Sequence, residues 1–425
     1  MQRDQNQFWT AAGKVLVVAA VVLIMALTLA PGASAASGYK VLYKFTGGTD
    51  GSQPYAGLIL DASGNLYGTT PQGGAFGDGV VFKLTRNSDG SWTEGVLHSF
   101  AGGTDGATPY AGVTFDASGN LYGTTYSGGA FSAGTVFQLA PNSDGTWTES
   151  VLHSFTGGSD GATPHSGVIF DATGTLYGMT WGGGTQGMGI VYKLTPNSNG
   201  SWTYGALHSF TGGKDGSYPQ FGKLTIDTAG NLYGATNDGV DGYGNCPNGN
   251  DCGSIVELMP QSDGTWQEKV IFRFTAGPTR NVNGTLVFDS AGRLYGNSYG
   301  GGSDYGTVFM LTLDAEGKWS QHVVYVFKGD QDGAYPIGGV VLDTAGNLYG
   351  TTDAGINSHG GAGQLFKLVP RRWFWTKYAY LFEGPPRDGA NSSAPVVFDA
   401  AGNLYGTAFD GWGTGCCGVV FEYIK

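Results

Sequence analysis

An all-β fold, a seven-bladed β-propeller, is what this sequence predicts, and three observations predict it. The tripeptide LYG recurs at Leu66, Leu121, Leu176, Leu232, Leu294, Leu348 and Leu404, with spacings of 55, 55, 56, 62, 54 and 56 residues, a period in the range of propeller blades. Each unit holds four short alternating stretches bounded by turn residues, as in GVTFDASGN, LYGTT, GTVFQL and WTESVLHSF. Glycine makes up 77 of 425 residues while hydrophobic residues stay at 40%, a composition of many strands and tight turns.

Within a unit, the first two strands are joined at Asp61, Asp116, Asp171, Asp227, Asp289, Asp343 and Asp399, each three places before a glycine, as a short hairpin requires. The third and fourth strands are joined by turns such as NSDGSW (87–92) and NSDGTW (142–147). Seven such units, none able to bury both faces alone, are expected to stack radially. The last unit stops at Lys425 without a fourth strand, and YKVLYKF (39–45) is a fourth strand without a blade. The N-terminal strand is therefore expected to close the last blade and remove an open edge.

Before the repeats, Arg3 and Lys14 flank a polar start, an apolar run occupies 15–30, and Ala33 and Ala35 fit the small-residue positions of a cleavage site. Residues 1–35 are read as a signal peptide and 37–425 as the propeller. Sixteen apolar residues fall short of the ~20 needed to span a bilayer, so no stable membrane span is expected after cleavage. Secretion, or a periplasmic or cell-surface location, follows from that reading. The net charge of −12 and isoelectric point near 4.8 argue against nucleic acid or an anionic membrane surface as partner.

The stretch VLHSFTGGSDGATPHSGVIF (151–170) gathers His153, Asp160 and His165, a set resembling a catalytic or metal cluster. The repeat explains it differently. His153 falls in the series Tyr43, His98, His153, His208, Phe272, Tyr325 and Tyr380, two residues before each fourth-strand phenylalanine, and is read as packing. Asp160 recurs as Asp50, Asp105, Asp215, Asp332 and Asp388 and is read as a turn cap; His165 aligns with Tyr55 and Tyr110.

The succession FTGGTDG, proline, GVxFDxxGNLYGTT and GTVFKL resembles the GloVer-type tandem repeat of secreted bacterial proteins, and its strand order is similar to that of NHL-type propellers. The resemblance spans 39–425. It implies a propeller and export, and no defined activity.

Function is expected on the face that carries the long loops from second to third strand: PQGGAFGD, YSGGAFSA, WGGGTQGM, NDGVDGYGNCPNGNDC, YGGGSDY, DAGINSHGGA and FDGWGTGCC. Trp181, Trp412, Tyr126, Phe131, Tyr243, Tyr299 and Tyr305, with Asp410, are the ligand-binding candidates, because Trp and Tyr join apolar area to a polar handle. The leading reading is a non-catalytic binding or scaffold protein taking a glycan or a protein partner. One alternative is a carbohydrate-active hydrolase or lyase using the non-repeat acids Asp238, Asp241, Asp251, Asp304, Asp353 and Asp410; another is a purely structural envelope or matrix protein. No cofactor, metal site or catalytic residue is assigned. Cys246 and Cys252 bracket PNGND in the one long insertion and are expected to form a disulfide; adjacent Cys416 and Cys417 are harder to pair, because the usual Cα separation exceeds that of neighbours.

Overall fold

The structure, a computed structural model, describes residues 38–238, 253–274, 279–302, 304–355, 362–384, 387–410 and 417–425. Seven four-stranded antiparallel sheets make up the propeller. Blade 1 runs β2 (Ile59–Leu60), β3 (Leu66–Thr70), β4 (Val80–Arg86) and β5 (Trp92–Ser99), and blades 2 to 6 repeat that order through β25 (Trp375–Leu381). Blade 7 is composite. Its strands β26 (Val397–Phe398), β27 (Leu404–Ala408) and β28 (Val419–Ile424) are completed by β1 (Gly38–Lys44), which pairs antiparallel with β28 from Gly38↔Ile424 to Lys44↔Val419. The expected closure is thus observed. Among the described residues, no helix is long and apolar enough to cross a membrane.

The LYG signature has a separate physical reason at each position. Leu66 and its equivalents are fully buried between blades. The tyrosine hydroxyl donates back to the aspartate of the preceding hairpin in all seven blades, at 3.0–3.2 Å. The glycine lies under an aromatic ring of the third strand: a Cβ on Gly68 would stand 2.7 Å from Phe82, and one on Gly123 2.6 Å from Phe137. In blade 4 the smaller Val256 replaces that ring, and its nearest atom would lie 3.9 Å away, so Gly234 is pressed instead by Met179 of blade 3, its sulfur at 3.1 Å.

Blades are joined by the same ring of phenylalanines. The terminal Phe of one fourth strand meets the third-strand ring of the next blade edge-on, as in Phe45–Phe82 at 5.1 Å, Phe100–Phe137 at 5.1 Å and Phe327–Phe366 at 5.2 Å. Buried hydroxyls add polar links: Thr69 Oγ1 donates to the Ala111 carbonyl at 3.0 Å, and Thr407 Oγ1 to that of Ala56, also at 3.0 Å, across the closure.

The apparent cluster at 151–170 separates into parts. His153 stacks on Tyr204 at 4.3 Å and meets Phe155 edge-on at 4.9 Å, so its packing role holds. Its Nε2 also bonds the Asp160 carboxylate at 3.1 Å, while Asp160 accepts from the Thr156 amide and hydroxyl. The same pair recurs as Tyr43–Asp50, His98–Asp105, His208–Asp215, Tyr325–Asp332 and Tyr380–Asp388. Blade 4 ends in Phe272, which has no donor, and Thr279 stands where the aspartate would be. These aspartates therefore anchor the blade-to-blade loop onto the fourth strand. Asp160→Ala is expected to cost about 1 kcal/mol by removing the acceptor of the half-buried His153 ring and of the Thr156 amide and hydroxyl, read as a lowered urea midpoint.

Candidate functional site

On each blade the first strand runs away from one face and the second strand returns to it, so the residues before the first and after the second lie together around the channel. Eleven places before each LYG leucine stand Tyr55, Tyr110, His165, Phe221, Asn283, Ile337 and Ser393. Five places after it stand Pro71, Tyr126, Trp181, Asn237, Tyr299, Asp353 and Phe409. The register to LYG repeats while the side chains do not; in blade 5 both positions, Asn283 and Tyr299, lie within strands. Blade-to-blade bonds hold the scaffold, for example the Thr108 amide donating to the Asp78 carbonyl at 2.8 Å and the Thr163 amide to that of Ala133 at 2.7 Å.

The aromatic members meet over the channel. Tyr55 of blade 1 reaches Phe221 of blade 4, centroids 5.5 Å apart, and Tyr110 at 5.8 Å. His165 lies against Tyr110 at 5.3 Å, Tyr126 at 4.7 Å, Phe221 at 5.6 Å and Trp181 at 6.2 Å. Trp181 stacks on Tyr218 at 5.0 Å, and Phe409 meets Tyr55 at 5.9 Å. Burial alone pushes the His165 ring down to about 4, so it is neutral at pH 7.

Several buried polar atoms in these two rings have no partner among the described residues: His165 Nδ1, Trp181 Nε1, Asn237 Oδ1 and Asn283 Oδ1. Opposite the aromatics, Asp353 accepts from Ser393 Oγ at 2.9 Å and Asp410 from Asn391 Nδ2 at 2.8 Å. Burial raises both carboxyls above the ordinary aspartate range, and the negative charge of Asp353 raises Asp410 further.

Of the residues singled out from sequence, the structure brings Tyr126 and Trp181 together through His165 and places Tyr299 and Asp410 on the same rim. Tyr299, 40% exposed, stacks on Tyr335 at 4.6 Å. Phe131, 61% exposed, has no ring contact among the described residues, and Tyr305 packs onto the core between blades 5 and 6. Trp412, Tyr243, Cys246, Cys252 and Cys416 lie outside the described residues. Cys417 is buried and is not a free thiol. Sequence reasoning missed the inner ring and Asn237; the signal was their fixed register to LYG with a changing side chain.

A family model, the Gloeobacter/Verrucomicrobia repeat, matches residues 28–247 and 244–425. No curated protein sequence matches the chain. Among solved structures, a protein assigned as an oxidoreductase (glucose dehydrogenase) from Thermus thermophilus is 13% identical, covering 91% of this chain and 100% of its own, with a TM-score of 0.41. A hypothetical selenium-binding protein from Sulfolobus tokodaii is 10% identical, covering 71% and 74%, with a TM-score of 0.48. At these values the likeness carries no functional argument.

Proposed function

We propose that this chain, which belongs to the Gloeobacter/Verrucomicrobia repeat family, is an exported, non-catalytic binding propeller that holds a neutral glycan or a protein segment on the loop face. One observation carries the reading: two concentric rings at a fixed register to LYG vary their side chains from blade to blade, and several of their polar atoms are buried without a partner among the described residues. Buried polar groups are normally bonded, so unpartnered ones in these rings suit a ligand with hydroxyl or amide groups. Tyr126 and Trp181 offer stacking area, and the two carboxyls opposite offer acceptors for sugar hydroxyls. Export rests on the N-terminal segment read above.

Glycan-array screening of the wild-type protein, followed by titration of Trp181→Ala with the best ligand, tests it. The variant is expected to keep the wild-type unfolding midpoint and to bind about 1 kcal/mol or more weaker, as lost aromatic anchors do. Unfolding, or unchanged affinity, overturns the assignment. Hydrolysis is the second reading, favoured by the coupled, raised carboxyls of Asp353 and Asp410. Polysaccharide cleavage by the wild type that disappears in both Asp353→Asn and Asp410→Asn would establish it instead.

A further inference from the structure

Beneath the aromatic rim the central channel holds a cavity of about 270 Å3, just under the ~300 Å3 at which small-ligand sites begin. Nine places before each LYG leucine stand Gly57, Gly112, Gly167, Lys223, Thr285, Gly339 and Pro395, and all of these but Gly339 line this cavity. Lys223 is the one charged member. Its stem crosses the channel over Gly167, where a Cβ would lie 2.7 Å from Lys223 Cε, and its Nζ donates to the Val113 carbonyl of blade 2 at 3.2 Å.

We propose that the channel cavity is a binding site for a small monocarboxylate with a flat ring body, its carboxylate held by the Lys223 ammonium and its ring lying against Tyr55, Tyr110, His165 and Phe221. Three features support this. An ammonium has three donors, and here one carbonyl takes one of them. The titratable groups that line the cavity are Tyr55, Tyr110, His165 and Lys223, so no carboxylate among them balances the charge, and an uncompensated cation is costly away from water. Lys223 keeps some accessible surface because it lines the cavity, yet protein surrounds its ammonium closely enough that burial alone pulls it down to about 8. A single cation beside a neutral histidine matches a monoanion; a phosphate dianion would bring an unbalanced charge into an apolar space lined by Leu58, Ile59, Val341 and Val397.

The cavity shares Tyr55, Tyr110, His165 and Phe221 with the rim, but the charge preference turns on Lys223, which the face reading does not use, so either can fail alone. Benzoate and its neutral isostere benzamide are the probes, titrated calorimetrically into the whole protein at pH 7. Wild type is expected to bind benzoate at least tenfold tighter than benzamide, and Lys223→Met, which keeps the stem and removes the charge, to abolish that preference. Raising the pH from 7 to 9 should weaken benzoate and leave benzamide unchanged, because the ammonium discharges near pH 8. Should Lys223→Met fail to fold, this wild-type pH series decides. Equal affinity for the two probes, a preference that survives Lys223→Met, a benzoate affinity flat with pH, or an equal effect from chloride at the same concentration overturns the proposal.

Discussion

A chain shortened to begin at Gly47 is expected to lose soluble, cooperative folding, because it lacks the fourth strand of blade 7. That strand carries the ladder to β28 from Gly38 to Lys44. It also carries Phe45, 2% exposed and edge-on to Phe82 at 5.1 Å, and Tyr39, stacked on Tyr380 at 4.7 Å and on Phe421 at 5.1 Å. Truncating one buried phenylalanine alone costs about 3–5 kcal/mol. With the tyrosine contacts added, the loss passes about 5 kcal/mol, the scale of a whole domain's stability. The stripped β28 would present unpaired amides and carbonyls at an edge, so association of the shortened chains should accompany destabilisation. Light scattering and thermal unfolding of chains starting at 37 and at 47 give the comparison. A synthetic 37–46 peptide added in trans should restore part of the midpoint by strand addition. Equal midpoints and equal solubility would sink the closure argument.

Blade number, strand count, hairpins and closure were legible because each rests on short-range chemistry repeated seven times. The DxxG hairpin, the LYG glycine and the orphan strand at 39–45 are set by local geometry, and local geometry repeats with the sequence. The His153–Asp160 bond was half legible: both residues fall in repeat positions, but that the two positions bond each other follows from how the loop folds back onto the strand. The chain does carry the clue, since Phe272 and Thr279 change together. The rim was legible where its aromatics stand in or next to long loops, as Tyr126 and Trp181 do and as Tyr299 does near the end of its strand. It was missed where function sits at or just before a first strand, as with Asn283 and His165, because those positions read as part of the repeat. Lys223 was illegible for a different reason. A lysine among glycines just before a short strand looks like a solvated side chain until the ring closes and turns that position inward. Asp353 and Asp410 could be named as acids outside the repeat, but their proximity depends on the packing of blades 6 and 7.

Replacing Glu94 and Glu149 by glutamine is expected to stabilise the protein at pH 8 and to change little at pH 4.5. On each fourth strand one residue reaches back to the loop of the preceding blade. Tyr204 Oη donates to the Asp160 carbonyl at 2.9 Å, Gln321 Nε2 to Thr279 Oγ1 at 2.6 Å, and Lys377 Nζ to the Asp332 carboxylate at 2.8 Å. Tyr39 donates in the same way to the Asp388 carbonyl. In blades 1, 2 and 4 this place holds Glu94, Glu149 and Glu268, an acceptor where the others donate, and each leaves its Oε1 buried without a partner among the described residues. Burial, and then the charge of Asp50, raises Glu94 to about 7; burial, and then the charge of Asp105 partly offset by His98, raises Glu149 to about 7. A folded-state value above the unfolded one, near 4.5, means the native state binds more protons between the two. Stability from these groups is therefore fully present below about pH 4.5 and lost as pH rises through 7. Glutamine keeps the shape of the protonated acid at every pH, so the benefit of the double variant should grow across that window. Allowing for solvent screening at partly exposed sites, each change contributes about 1–2 kcal/mol at pH 8. His165, pushed down to about 4, titrates in the opposite sense and destabilises the fold as pH falls from about 6.5. It is common to both proteins and cancels in the difference. Urea midpoints at pH 4.5 and 8 measure the effect, and a double variant that gains nothing at pH 8 relative to pH 4.5 would show that these glutamates do not strain the joints between blades.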